Sequence, residues 1–386
     1  MIGRVRIDRR ELAGAVADLG VLVPIAVALI VGNGLSPTAV LLPAGLLYLA
    51  NAFLYGLPLP AQPLKAFGAI AIAEGLGADE IAAGALLIGA LFFLAGRLGL
   101  LDLAARAFPR VLVRGIQLTV GLLFLKIAWG LVTDPPQAFT EYALGTSWAL
   151  PIALAALALA LVFKQAGVSL ALVAVGGIVM LALGAGEAAL GPSGLSFPSL
   201  DAATLATAFT VLVLPQAPLS FANSCLAPAD AARVYFGERA DRVRPGRLAK
   251  TYGVANLFAG SISGMPVCHG AGGLTAHYSF GARTAGAPLA MGTALVALAI
   301  GAGAGLAGLL PAFPLPILAA LLAAAGVLHV GLLRDLRGVW SWTLALAVGI
   351  VGFAFNLVWA LALGLAAWWL ARALRWALAR GATVPV

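Results

Sequence analysis

The sequence is poor in charged residues and in cysteine. Only 10% of its 386 residues are charged, whereas 62% are hydrophobic, and the mean hydropathy is +1.04. Soluble globular domains contain about 25% charged residues, so this composition excludes a soluble protein. Two cysteines and three histidines are too few for a disulfide framework, and their spacing matches no zinc motif. The composition is that of a helical protein that crosses a membrane many times.

Hydrophobic runs continue almost without interruption from Leu12 to Leu378. A spanning helix needs about 20 mostly apolar residues, so these runs divide into fourteen predicted spans. The spans are 11–31, 36–55, 57–75, 81–101, 108–132, 147–163, 168–186, 201–225, 247–262, 264–281, 286–308, 313–331, 339–354 and 356–375. The first is predicted to be a retained span, because no small-residue cleavage site follows it. Residues 227–250 are predicted to form a polar loop.

The positive charges test this number of spans independently. All but two of the 23 Lys and Arg residues lie at the termini or in alternate loops, and the remaining loops contain acidic residues without Lys or Arg. Lys and Arg collect on the cytoplasmic side of a membrane, so both termini are predicted to be cytoplasmic. The two exceptions, Lys65 and Lys126, lie inside predicted spans. This bias explains the net charge of +8 without a nucleic-acid partner.

The third and tenth spans each begin with a polar stretch that contains proline. Residues 56–75 read GLPLPAQPLKAFGAIAIAEG, and residues 263–286 read SGMPVCHGAGGLTAHYSFGARTAG. Proline removes a hydrogen-bond donor and moves the preceding residue out of the helical region. Each span is therefore predicted to start as extended chain and to continue as a half-helix.

Interrupted spans at corresponding positions of two halves are typical of transporters built from inverted repeats. Aligning Pro60 with Pro266 places Gln62 opposite Cys268. The two segments then occupy matching places in two halves of the chain, each of seven predicted spans. An odd number of spans inverts the second half, so the N-termini of the two half-helices are predicted to converge near the middle of the membrane. Each N-terminus carries unpaired N–H groups and partial positive charge, which favours an anion. The alternative is that these prolines and glycines only permit close helix crossing.

These segments resemble the type 1 molybdate transporter family, which is related to the SulP sulfate permeases. The resemblance rests on ELAGAVADLGVLVP (11–24), PLPAQPLKA (58–66), LPQAPLSFANS (214–224) and MPVCHGAGGLTAHYSFGARTAG (265–286). It implies an all-α membrane protein of fourteen spans in a seven-plus-seven inverted repeat, with half-helices in spans 3 and 10. Spans 1–4 and 8–11 would form a core domain, and spans 5–7 and 12–14 a gate domain. Residues 1–190 would form the first repeat and 191–386 the second, without a STAS domain.

The resemblance implies secondary active uptake of molybdate, with sulfate and tungstate as close analogues, and neither an enzymatic activity nor a cofactor. Moving a dianion into a negative interior costs about 2.3 kcal/mol per charge per 100 mV, so symport with protons is predicted. A bacterial inner membrane location, contact with lipid and a homodimer are expected. A sulfate permease, a nucleobase carrier and an anion channel remain as alternatives. The motifs HExxH and GxSxG are absent, which disfavours an intramembrane hydrolase.

The predicted substrate site draws on spans 3, 8 and 10. Its residues are Gln62, Lys65, Ala66, Gln216, Cys268, His269, Gly270 and Ala271. Gln62 and His269 are expected to donate hydrogen bonds, and Lys65 to offset negative charge, because a charged residue inside a span is costly and usually functional. Asp18, in span 1, is the predicted carrier of the coupling proton, and no metal site is predicted. The structural alternatives are a helix cap for Gln62, a bridge to a neighbouring span for His269, and an ion pair with Asp18 for Lys65.

Overall fold

The computed structural model describes residues 5–101, 109–163, 166–184 and 189–381. Within these ranges, fourteen helices correspond to the fourteen predicted spans. The first seven are α1 (Arg9–Gly32), α2 (Pro37–Tyr55), α3 (Lys65–Ala73), α4 (Ala78–Leu98), α5 (Arg110–Thr133), α6 (Thr146–Phe163) and α7 (Ala166–Leu183). The others are α8 (Ala202–Ala240), α9 (Pro245–Ser261), α10 (Ala271–Ser279), α11 (Gly286–Leu309), α12 (Leu315–Gly331), α13 (Val339–Ala354) and α14 (Leu357–Gly381). The predicted end of span 7, at residue 186, lies outside the described residues.

Helices α3 and α10 are too short to cross a membrane. Each has nine residues, which at 1.5 Å per residue is about 13 Å, against a hydrocarbon thickness of about 30 Å. Each follows a two-residue strand, β1 (Gln62–Pro63) or β2 (Val267–Cys268), and the strands pair antiparallel with Gln62 opposite Cys268. This pairing satisfies backbone groups at a depth where water is scarce.

The two halves of the chain repeat the same arrangement. An offset of 206 residues relates α3 to α10 at both ends and also relates Gln62 to Cys268. Packing follows the same symmetry, because α2 packs on α11 while α9, the counterpart of α2, packs on α4. Glycines allow close approach in both pairs: a Cβ on Gly45 would lie 3.1 Å from the Gly292 carbonyl oxygen, and one on Gly89 would lie 3.0 Å from that of Gly253. Small residues at helix crossings are typical of membrane bundles.

The helices form two bundles. In one, α5 packs on α12 and α13, α6 packs on α7 and α12, and α13 packs on α14. The other contains α1 to α4 and α8 to α11, with the half-helices between them. The bundles meet where α1 packs on α12 and where α3 packs on α5. This division agrees with the core and gate domains that the family resemblance implies.

The counterpart helices α1 and α8 are both irregular. A 3-10 turn at Val16–Asp18 interrupts α1, and π-helical turns at Ala208–Val213 and Phe221–Leu226 interrupt α8. Such turns inside a helix often mark functional positions. The turn in α1 ends at Asp18, and the second π turn of α8 lies just after the predicted site residue Gln216.

The prediction of a polar loop at 227–250 is wrong over most of its length. Helix α8 continues to Ala240, and α9 begins at Pro245. The helix continues because Ala229, Ala232 and Phe236 recur at helical spacing and are buried in a small apolar cluster with Leu274 of α10. The charged residues of this stretch are exposed.

Candidate functional site

A cavity of about 460 Å³ lies between the two bundles and reaches the N-termini of both half-helices. Its walls contain eight of the nine residues predicted for the site and for proton coupling. These eight are Asp18, Gln62, Lys65, Ala66, Gln216, Cys268, Gly270 and Ala271. The gate bundle contributes polar groups that were not predicted from the sequence, namely Arg114 and Gln117 of α5 and His329 of α12.

The first residues of both half-helices belong to this cavity wall. Lys65 and Ala66 begin α3, and Ala271 and Gly272 begin α10; all four residues line the cavity. The first amides of a helix have no acceptor within it, and the N-cap residues of α3 and α10 supply no side-chain hydrogen bond. Two sets of N–H donors, each at the positive end of a helix, therefore share one space.

Gln216 holds half-helix α3 in place from α8. Its Oε1 accepts a hydrogen bond of 2.8 Å from the amide of Phe67, in the first turn of α3. Its Nε2 donates to the Ser220 hydroxyl at 2.9 Å, and that hydroxyl lies 2.7 Å from the hydroxyl of Tyr252. Both Oε1 and Nε2 of Gln216 are therefore hydrogen-bonded. Gln216, a residue of α8, thus caps the N-terminus of α3.

Lys65, Gln62 and Asp18 form a continuous hydrogen-bonded chain. The Lys65 ammonium donates to Oε1 of Gln62 at 2.9 Å, and Nε2 of Gln62 donates to Oδ1 of Asp18 at 2.5 Å. The hydroxyl of Tyr48 donates to Oδ2 of Asp18 at 2.9 Å. Gln62 thus lies between the cation and the carboxylate, and the described residues show no direct ion pair between Lys65 and Asp18.

His269 does not face the cavity. Its side chain is fully buried, its Nε2 lies 2.9 Å from the Thr251 hydroxyl of α9, and its ring packs edge-on against Tyr55. Side chains alternate along extended chain, so Cys268 faces the cavity and the next residue points the other way. The structure thus places His269 as a bridge to a neighbouring span, and it does not support the predicted substrate contact.

His277, which was not among the predicted site residues, reaches the same carboxylate as Gln62. It is fully buried, and its Nε2 lies 2.9 Å from Oδ2 of Asp18. Its ring stacks on that of Tyr48 with the centroids 6.1 Å apart. An ionisable residue inside a span was the available signal.

Three glycines of the tenth span have different roles. A Cβ on Gly270 would collide with the Gln62 side chain, and one on Gly273 would lie 2.8 Å from the Asp18 carboxylate oxygens. A Cβ on Gly272 would meet no atom within 4 Å. Gly270 and Gly273 therefore make room for protein side chains, whereas Gly272 exposes its backbone to the open cavity.

The far end of the cavity lies beside an ion-paired cluster of the gate bundle. Nε of Arg114 donates to Oδ1 of Asp335 at 2.8 Å, Nη1 donates to Oε1 of Gln117 at 2.7 Å, and Arg110 also pairs with Asp335. These groups lie where α5 begins and just after α12 ends, on the membrane side that carries most of the arginines. The cavity therefore extends from the half-helices toward the arginine-rich side.

A family model described as "Molybdate transporter of MFS superfamily" matches residues 10–124 and 208–328. The chain belongs to this family. It is 29% identical over 373 residues to Molybdate transporter 1 of Arabidopsis thaliana, an alignment that covers 85% of this chain and 80% of the relative. This membership confirms the family resemblance seen in the sequence.

Two solved structures share the fold of this family member. The transmembrane domain of the cyanobacterial bicarbonate transporter BicA superposes with a TM-score of 0.67 at 19% identity, covering 91% of this chain and 97% of that domain. The murine Slc26a9 anion transporter in its inward-facing state superposes with a TM-score of 0.67 at 15% identity. This match covers 97% of this chain and 69% of the Slc26a9 chain. The predicted fourteen-span, seven-plus-seven inverted-repeat fold is thereby confirmed. As a member of the molybdate transporter family, the chain is a multi-pass membrane anion transporter and not an enzyme.

Proposed function

We propose that the chain imports molybdate by secondary active transport and binds the dianion between the N-termini of α3 and α10. The observation that carries this proposal is the convergence of two amide-rich helix ends and the Lys65 ammonium on one cavity. A tetrahedral dianion needs several donors, and helix N-termini supply them together with favourable dipoles. The names of the family and of its Arabidopsis relative point to molybdate as the oxyanion.

The predicted site residues have distinct roles in this proposal. Lys65, Ala66, Gly270 and Ala271 surround the oxyanion with charge and backbone donors, and Cys268 is a small wall residue. Gln62 orients Lys65 through the hydrogen bond to its ammonium. Gln216 keeps the amides of α3 aimed at the site by capping Phe67.

Transport requires movement of the core bundle against the gate bundle. Because the cavity lies between the bundles, a shift of one against the other exposes the same site to the opposite side, as alternating access requires. A dianion is driven outward by a negative interior, so we propose that protons enter with it through Asp18.

The distribution of charge supports an orientation with both termini in the cytoplasm. On that orientation the cavity extends toward the cytoplasm. We further propose that the protein lies in a bacterial inner membrane and forms a homodimer. Its two inverted repeats are proposed to comprise residues 1–190 and 191–386.

Uptake of molybdate by purified protein in proteoliposomes tests the proposed function. Saturable molybdate uptake that tungstate and sulfate inhibit by competition is expected. If molybdate neither binds nor enters, the substrate is wrong. Preferred uptake of sulfate would identify a sulfate permease, and unitary currents without accumulation would identify a channel.

A further inference from the structure

Donors from three different elements surround the Asp18 carboxylate. They are the Tyr48 hydroxyl from α2 at 2.9 Å, Nε2 of Gln62 from β1 at 2.5 Å, and Nε2 of His277 from α10 at 2.9 Å. None of these four side chains is more than 3% exposed. Asp18 lines the cavity, whereas His277 does not. The cluster is therefore closed except where Asp18 and Gln62 meet the cavity.

The contacts of His277 determine how many protons it shares with Asp18. Its Nδ1 lies 2.9 Å from the carbonyl oxygen of Pro58, which can only accept, so Nδ1 carries a hydrogen. Its Nε2 lies 2.9 Å from Oδ2 of Asp18. An imidazole lone pair and a carboxylate lone pair would repel at this distance, so the pair holds a second proton. Because Asp18 already accepts from Tyr48 and Gln62, this proton belongs on Nε2, as an imidazolium beside a carboxylate.

We propose that His277 and Asp18 form the proton-binding pair of the transporter, and that the proton on Nε2 of His277 is carried with the oxyanion. This inference rests on the proposed function and extends it from Asp18 alone to a defined partner. The proton passes from Nε2 of His277 to Oδ2 of Asp18, and from there to water in the cavity. After release, His277 is a neutral imidazole with its hydrogen on Nδ1, and Asp18 remains a carboxylate.

Gln62 couples this pair to the anion site, because the same side chain contacts Asp18 and Lys65. With the proton present, the Asp18–His277 pair has no net charge. Loss of the proton leaves one negative charge beside the bound dianion, which favours release of the anion. By linkage, a bound anion favours the protonated pair to the same extent.

Five other ionisable groups among the described residues lie near the Asp18–His277 pair or across the cavity from it. Tyr48 of α2 contacts both members, Lys65 of α3 contacts the pair through Gln62, and Cys268 of β2 lies on the same cavity wall. Across the cavity lie His329 and the ion-paired Arg114 of the gate bundle. None of these groups lies between Nε2 of His277 and Oδ2 of Asp18.

The proton itself can be observed without transport. The chain has only three histidines, so protein labelled with ¹⁵N-histidine gives three imidazole signal sets, which single His→Gln variants assign. We expect His277 to show two protonated nitrogens at pH 7, and to become a neutral ring with hydrogen on Nδ1 in Asp18→Asn. The signals of His269 and His329 serve as internal references. A neutral His277 in the unaltered protein would overturn the proposal.

Coupling is tested with His277→Gln in proteoliposomes that contain a pH-sensitive dye. We expect accumulation driven by a pH gradient to fall at least tenfold relative to molybdate exchange at equilibrium, and molybdate-evoked proton influx to disappear. Accumulation equal to that of the unaltered protein would refute the role of His277. If this variant does not fold, Asp18→Asn provides the same comparison.

The two proposals fail in different ways. Molybdate exchange without any proton movement in the unaltered protein would overturn the coupling pair and leave molybdate transport standing. Failure of molybdate to bind or exchange would overturn the proposed substrate. In that case the imidazole signals still decide whether the pair holds its proton, and sulfate-evoked proton influx decides whether that proton is carried.

Discussion

Gly272 is distinguished from its neighbours by the space around its Cα atom. Gly270 and Gly273 are packed against the side chains of Gln62 and Asp18, whereas a Cβ on Gly272 would meet nothing within 4 Å. Because Gly272 also lines the cavity, that space is where the oxyanion is proposed to bind. A methyl group there would compete with the ligand and not with the protein.

The variant Gly272→Ala is therefore expected to fold normally and to bind molybdate at least tenfold more weakly. Alanine in a helix is favoured over glycine by about 1 kcal/mol, so the thermal midpoint should stay constant or rise. Isothermal titration and thermal unfolding of the purified variant measure the two effects. Gly301→Ala on α11, where a Cβ also meets no atom, is the matched control and should bind normally. Unchanged affinity in Gly272→Ala would place the ligand elsewhere.

Two lysines inside predicted spans allow a direct test of charge. Lys65 lines the cavity, whereas Lys126 is exposed on the surface of α5. Two unit charges 4 Å apart interact by about 4 kcal/mol at an effective dielectric constant of 20. Lys65→Met is therefore expected to weaken molybdate binding by about 100-fold to 1,000-fold, and Lys126→Met to leave it unchanged. Equal dissociation constants for the two variants would remove Lys65 from the site.

At the residue scale, prediction from sequence succeeded where local pattern decides the outcome. Proline and glycine around Gln62 and Cys268 indicated extended chain and half-helices, and the residues at those positions do line the cavity. His269 shows the limit, because a two-residue strand reverses the direction of each successive side chain and its exact start is not visible in sequence. His277 contacts Asp18 across most of the chain, and no local spacing reveals such a contact.

At the scale of elements, the cap on α3 comes from a different helix. Gln216→Ala would leave the Phe67 amide buried without its acceptor, at a cost of about 1–3 kcal/mol. We expect a lower unfolding temperature together with weaker molybdate binding. Gln216→Glu keeps an acceptor for that amide and should retain most of the stability, but its carboxylate in the cavity wall should abolish anion binding. If Gln216→Ala unfolds like the unaltered protein, the cap does not hold α3.

The boundaries of helices were predictable to different degrees. The half-helices and their strands follow from proline positions, so their place in the chain was predicted correctly. The length of α8 was not, because hydropathy averaged over 227–250 hides the apolar face that Ala232 and Phe236 bury under α10. The Glu11 carboxylate illustrates the same limit. It accepts hydrogen bonds from the amides of Thr284 at 2.9 Å and Ala287 at 3.1 Å, more than 270 residues away.

At the scale of the whole molecule, the separation of charges supported the number of spans that the hydrophobic runs predicted, and the fold confirms that number. The alternation of basic and acidic loops depends on every span at once, because one added or missing span would place Lys and Arg on both sides of the membrane. Each helix boundary, in contrast, depends on local contacts. The same separation predicts which side of the membrane the cavity faces. The Arg114–Asp335 cluster lies at the cavity's arginine-rich end, so the orientation of the chain determines whether the site is accessible from the cytoplasm in this conformation.

Single engineered cysteines can determine that orientation. Both native cysteines are buried, so a membrane-impermeant maleimide should label the unaltered protein weakly. Arg239 and Glu141 are exposed, one at the end of α8 and the other between α5 and α6. In intact cells we expect Glu141→Cys to be labelled and Arg239→Cys to react only after the membrane is permeabilised. The reverse pattern would turn the cavity outward and contradict the predicted cytoplasmic termini, and labelling of both in intact cells would contradict the odd number of spans that separates them.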